Sequence, residues 1–214
     1  EITIIDSLTV QWIGIDTYSK LEDIKVNQTI GISYGQEILT KGKSKLDDKI
    51  FTEINPKNLG IHYQHKENNF DDFAIEGLLP YRQSRLGPFT SVADVNNDGL
   101  DDFFIGGASG QSGTLFMQTN NGKFTISEKQ PWIEDKISED MGSLFFDSDG
   151  DGDQDLYIVS GGGGEFEAYS ESLQDRLYIN DGYGNFTKNL NALPLIYESG
   201  QTVKSADIDS DGDL

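Results

Sequence analysis

The chain contains no cysteine among its 214 residues. No disulfide can support the fold and no thiol chemistry is available to it. Basic residues are scarce: 16 Lys and Arg stand against 37 Asp and Glu, for a formal net charge of −21 and a pI of about 4.2. That balance argues against nucleic acid or an anionic membrane surface as a partner, because both require a positive footprint. No apolar run is long enough to span a bilayer. Histidine is limited to His62 and His65. Three apart, they could share a metal on a helix, but Tyr63 and the strand-like surroundings favour solvated or packed rings. No leader segment is visible, and because the chain opens on Glu1 rather than Met, the expectation is an export signal already removed. The acidity does not mean disorder, since apolar residues are gathered in strand-like runs rather than missing.

What the chain does have is acid in a repeated arrangement. Asp147 to Asp155 reads DSDGDGDQD, five Asp and two Gly in nine residues. Carboxylates this crowded repel one another unless positive charge sits between them, and a hard divalent cation with oxygen ligands supplies it. Asp147, Asp149 and Asp151 take positions 1, 3 and 5, and Gly152 takes position 6, where glycine permits the sharp turn that brings odd-numbered ligands inward. A helix-loop-helix calcium site needs Glu at position 12, but that residue is Ile158. The acid arrives earlier, as Asp155 at position 9, and the run Leu156-Tyr-Ile-Val159 then reads as a strand. The expected ligands are side-chain oxygens at positions 1, 3, 5 and 9 and the backbone carbonyl of position 7, Asp153.

The arrangement recurs. Asp94, Asn96 and Asp98 precede Gly99, with Leu100 at position 7 and Asp102 at position 9, and Phe103-Phe-Ile105 follows as a strand. A third copy starts at Asp207, with Asp209, Asp211 and Gly212, and has no ninth residue. The three loops start 53 and 60 residues apart. A second marker keeps the same period: Leu115 to Thr125 matches Leu177 to Thr187, each a strand, a turn of Asn, Asp and Gly, and an aromatic opening the return strand. Asn68-Asn-Phe70 reads as the tail of an earlier copy. An all-β repeat of this length with Gly-rich strand ends fits four-stranded propeller blades.

Upstream, Leu8, Val10 and Trp12 alternate with Thr9 and Gln11, a turn with Gly14 and Asp16 follows, and Ile24, Val26, Ile30 and Ile32 continue the strand pattern. The predicted organisation is a small β module over 1–40, a charged linker over 41–49, and blades over 50–214, about three of them, forming a partial propeller.

The repeated unit resembles the FG-GAP/VCBS repeat of integrin α-chain propellers and bacterial surface proteins, through Asp94, Asn96, Asp98, Asp102 and Asp147, Asp149, Asp151, Asp155. The resemblance implies a β-propeller with calcium at the hairpin between a blade's first two strands. It also implies a secreted or cell-surface location, in a bacterium the periplasm or outer surface. The N-terminal stretch resembles the end of an ASPIC/UnbV module through Val10-Gln-Trp12 and Lys25-Val-Asn-Gln-Thr29, with Ile13 where that family usually has proline. The two together imply a segment of a longer modular protein.

Two functional classes follow. The first is a non-catalytic, calcium-stabilised scaffold presenting loops to a protein or glycan. The second is a propeller-based polysaccharide lyase or hydrolase, drawing an acid pair from Glu165, Glu167, Glu171 and Asp175 in the segment that is extra relative to the preceding repeat. No nucleophile paired with a base is recognisable, and Gly161 to Gly164 lacks the Lys-Ser or Lys-Thr of a phosphate cradle. The Asn27 and Asn185 glycosylation sequons read as turn residues.

Overall fold

A computed structural model of the chain describes residues 3–12, 17–33, 38–40, 51–163 and 165–210. The predicted linker, the Gly14–Asp16 turn and Asp211 lie outside them. The chain divides into two units, Glu1–Glu53 and Ile54–Leu214. Among the described residues the fold is nearly all β, in three antiparallel sheets.

In the first unit, β1 (Ile4–Gln11) pairs antiparallel with β2 (Thr17–Lys25), from Ile4 opposite Lys25 to Gln11 opposite Tyr18. β3 (Ile38–Thr40) adds to the other side of β2. Trp12 Nε1 donates to the buried Ser19 Oγ at 3.0 Å. The predicted strand through Ile30 and Ile32 is not one; those residues pair with nothing in a ladder. Asn27 has φ +59°, a left-handed conformation that Asn tolerates, and it turns the chain out of the sheet after Lys25. Gln28 Nε2 holds the turn by donating to the Lys25 carbonyl at 2.8 Å. Two β-branched residues were thus insufficient without a partner strand.

The second unit holds two sheets of the same design. β4 (Thr90–Ala93), β5 (Asp102–Ile105), β6 (Thr114–Gln118) and β7 (Phe124–Ile126) form one meander in chain order. β8 (Glu139–Phe146), β9 (Asp155–Gly161), β10 (Arg176–Asn180) and β11 (Phe186–Lys188) form the other. Each acidic loop joins the first two strands of its sheet. The second hairpins also correspond, closed by Thr119 N to Lys123 O at 2.7 Å and by Asp181 N to Asn185 O at 3.2 Å.

Residues 51–89 contain no strand, and the described part of the second unit holds two blade-like sheets. The stretch instead spends its polar groups within itself and on the loop after β5, where Lys66 N donates to Gln111 Oε1 at 2.7 Å and Tyr63 Oη to Gly106 O at 3.0 Å. Asn68 Oδ1 accepts from Phe70 N at 2.9 Å, and the buried Asp72 accepts from Gln83 N and Ser84 N at 3.1 Å. A short helical turn, α1 (Asp72–Ile75), sits there.

The core of this unit is aromatic. Trp132, on a short helical turn before β8, is 2 % exposed. Its ring lies 5.3 Å from Phe104 of the first sheet, and 5.5 and 5.3 Å from Tyr178 and Phe186 of the second. Gly113 is required beside it: a Cβ there would stand 2.3 Å from the Phe104 ring. β9 is buried along nearly its whole length, which explains its continuous apolar run.

Candidate metal centre

The second acidic loop, 147–154, is shaped by its own carboxylates. Asp147 Oδ1 accepts from Gly150 N at 2.8 Å and Oδ2 from Gly152 N at 3.0 Å. Asp149 and Asp151 accept from the amides two residues on. Gly152 has φ +94°, so the turn at position 6 falls where glycine is needed. The result brings one carboxylate oxygen each of Asp147, Asp149 and Asp151 within 4.8 Å of one another. Partial loss of hydration, then the charges of Asp151, Asp155 and Asp147, raise the pKa of Asp149. All three offer hard oxygen donors at the mouth of a hairpin, a donor set that fits calcium.

The first loop repeats the scheme. Asp94 accepts from Asp98 N at 3.1 Å and Gly99 N at 2.8 Å. Asp98 Oδ1 accepts from Leu100 N at 2.9 Å, and Asn96 Nδ2 donates to Asp98 Oδ2 at 3.1 Å. Gly99 has φ +83°. Asp94, Asn96 and Asp98 are therefore gathered on one short turn. In the third loop Asp207 Oδ1 accepts from Ser210 N at 2.6 Å, Asp209 is exposed, and Asp211 lies outside the described residues.

The position-nine acids have a different setting. Asp102 and Asp155 are fully buried. Asp102 accepts from Val95 N at 3.2 Å and Gln118 N at 2.7 Å. Asp155 accepts from Ser148 N at 3.0 Å and Asn180 N at 2.7 Å, and from Ser148 Oγ. In both sheets the carboxylate ties the second residue of its loop to the third strand. Asp102 is raised first by burial and then by Asp98 and Asp94, against the two amides that lower it. Asp155 does not join the converging group formed by Asp147, Asp149 and Asp151. Asp155→Asn turns one acceptor into a donor facing an N–H. It is expected to cost about 1–3 kcal/mol even in chelator. The exposed change Asp151→Ala should stay within about 0.5 kcal/mol there. Urea unfolding with chelator present measures both.

Two residues that the motif spacing did not single out join the loops. Asn97 Nδ2 donates to Asp153 Oδ1 at 2.8 Å, so the first loop touches the second. Asn180 Nδ2 donates to Val95 O at 2.8 Å and Gln154 O at 3.1 Å. Asn97 lies inside the first acidic turn, whereas Asn180 lies 25 residues after Asp155, at the turn of the second hairpin, where no spacing ties it to the acids.

The acids of the segment after β9 are spread out. Asp175 accepts from Tyr157 Oη at 2.6 Å and Ser160 N at 2.8 Å, whereas Glu165 faces Glu139. Glu167 and Glu171 are exposed.

Fold and loops together define an all-β protein built of blade-like repeats with an acidic turn at the head of each first hairpin. A family model described as an FG-GAP-like repeat matches residues 94–158, from the start of the first loop through the second and into β9. Neither the curated proteins nor the solved structures contain a match to the chain.

Proposed function

We propose that this chain is a calcium-binding, extracellular segment of a β-propeller, acting as a non-catalytic scaffold for a protein or glycan. The observation that carries the reading is the convergence of Asp147, Asp149 and Asp151 at a hairpin whose counterpart recurs in the preceding sheet. The FG-GAP-like match over both loops supports it. In this reading the side chains of Asp94, Asn96 and Asp98, and of Asp147, Asp149 and Asp151, hold the ions. The carbonyls of Leu100 and Asp153 complete them, and Asp102 and Asp155 close the loops from below. Bound calcium supplies the positive charge that lets the acids sit together. The chain's own residues fix the turn and hold the outgoing strand.

The N-terminal unit is assigned to the end of an ASPIC/UnbV-type module. The ligand-facing loops include those around a cleft of about 540 Å³ lined by Asp135, Glu171, Asp175, Lys188 and Leu195.

Extracellular modules of this kind hold calcium at roughly 10⁻⁴–10⁻³ M. At ten times the dissociation constant, each site should add about 1.4 kcal/mol to stability. Thermal melts with calcium and with chelator test this; identical midpoints would end the idea. Calorimetric titration of Asp151→Ala should show one ion fewer than the parent chain. Full stoichiometry in that variant would refute the ligand assignment.

A further inference from the structure

Away from the acidic loops, the second unit buries a pair of carboxylates that nothing in the scaffold reading uses. Glu139 is the first residue of β8 and is 1 % exposed. Its Oε2 accepts from Ser109 N at 3.4 Å, and its Oε1 is buried with no donor. Glu165 belongs to the segment between β9 and β10, and both of its oxygens are buried, with the neutral Asn68 side chain as the donor group beside them, which lowers its pKa against the burial that raises it. The two side chains face each other. Two ionised carboxylates in contact, out of water and with no donor between them, are strongly unfavourable, so positive charge must enter the pair.

The surroundings decide which charge. Arg176 is already committed to Asp140, the neighbour of Glu139, at 2.7 Å. Asp72 is saturated by Gln83 N, Ser84 N and Ser84 Oγ. Glu67 stands near the pair, with Oε1 2.7 Å from His65 Nε2 and Oε2 buried without a donor. One cation would draw its ligand oxygens within about 4.8 Å of one another, twice a calcium–oxygen distance. Glu67, Glu139 and Glu165 do not converge so closely; among the described residues only the Asp147 group does. The remaining source is a proton.

We propose that Glu139 and Glu165 share a proton, forming a pH-sensitive latch that fastens the segment between β9 and β10 to the head of β8. The segment reaches Glu139 over Gly162 and Gly163. A Cβ on Gly162 would stand 2.8 Å from Glu165 Oε1, and one on Gly163 would stand 2.5 Å from Asp72 Oδ1. The backbone there is seated as closely as glycine allows. Burial first, and then Glu165, push Glu139 up to about 9, and burial also raises Glu165. A carboxyl whose folded pKa is raised stabilises the fold fully below its unfolded value, and that contribution is lost as pH rises through the folded value. The latch is therefore tightest in acid, weakens as pH rises above the ordinary carboxylate range, and has lost its contribution by about 9. Ser109, Glu67 and Asn68 also line an open cleft of about 740 Å³, so the state of the latch is felt at the wall of that cleft.

The test uses the full chain with ¹³C-labelled glutamate carboxyls followed by NMR across pH. The expected result is one glutamate titrating near 9, absent in Glu139→Gln and moved down in Glu165→Gln. Amide exchange over 165–175, corrected for intrinsic rates, should lose protection by up to about tenfold per pH unit between the ordinary carboxylate range and that midpoint, and level off above it. In Glu139→Gln, whose amide donates permanently, the protection should no longer depend on pH. Titration of both acids in the ordinary carboxylate range would overturn the latch, as would equal loss of protection in the variant. A midpoint moved by saturating calcium would assign the charge to a cation and also overturn it. The parent-chain titration stands even where a variant fails to fold. It is separate from the acidic loops, so calcium binding there succeeds or fails independently.

Discussion

Arg176→Met is expected to destabilise the second unit by about 3–5 kcal/mol. Arg176 and Asp140 are each only 4 % exposed, and Nη2 meets Oδ1 at 2.7 Å. The pair joins β10 to β8 across β9. The guanidinium also donates from Nε to Ser160 Oγ at 3.1 Å, and Asp140 Oδ2 accepts from Gly107 N at 2.8 Å. Desolvating both charges makes the pair's net worth small, but removing one leaves the other buried and uncompensated. The double change Arg176→Met with Asp140→Asn should therefore be more stable than Arg176→Met alone, because no buried charge is left. Denaturant unfolding of the four proteins in the cycle measures this. Additive losses would mean that the two side chains act separately.

Trp132→Ala should cost a similar amount, about 3–5 kcal/mol. The indole touches aromatic side chains of both blade-like sheets, Phe104 on one side and Tyr178 and Phe186 on the other. Its Nε1 donates to Gly113 O at 3.1 Å, at the position where only glycine fits. Removing it opens a hole between the sheets and strands a carbonyl. Trp132→Phe should keep most of the packing and lose about 1–3 kcal/mol, chiefly through that carbonyl. Equal losses for the two variants, followed by circular dichroism, would place the contribution in the hydrogen bond rather than in the ring.

The sequence carried the acidic hairpins clearly because their information is local. Position 1, position 6 and the strand that follows lie within a dozen residues, and the structure keeps them in that relation at Asp94–Ile105 and Asp147–Gly161. The second hairpins were equally legible, since Asn, Asp and Gly at fixed offsets specify a turn. The stretch 51–89 was not. Its polar residues find partners on each other and on Gly106 and Gln111 rather than in a ladder, and single-residue propensity does not reveal that. Glu139 and Glu165 were also hidden from a one-dimensional reading. Glu165 is legible as a candidate acid, but its partner lies 26 residues earlier in another element. The position-nine acids were legible as residues and only partly as roles. Spacing marks Asp102 and Asp155, whereas their grip on the amides of Gln118 and Asn180 depends on a strand that spacing does not place.

One edge of each blade-like sheet, β7 in the first and β11 in the second, is a strand of only three residues. A long unpaired edge is a template on which another copy of a chain can dock strand to strand. At these two edges the ladder ends after three residues, on molecules that carry a net charge of −21 and repel one another. Short strands and like charge both work against strand-to-strand docking there.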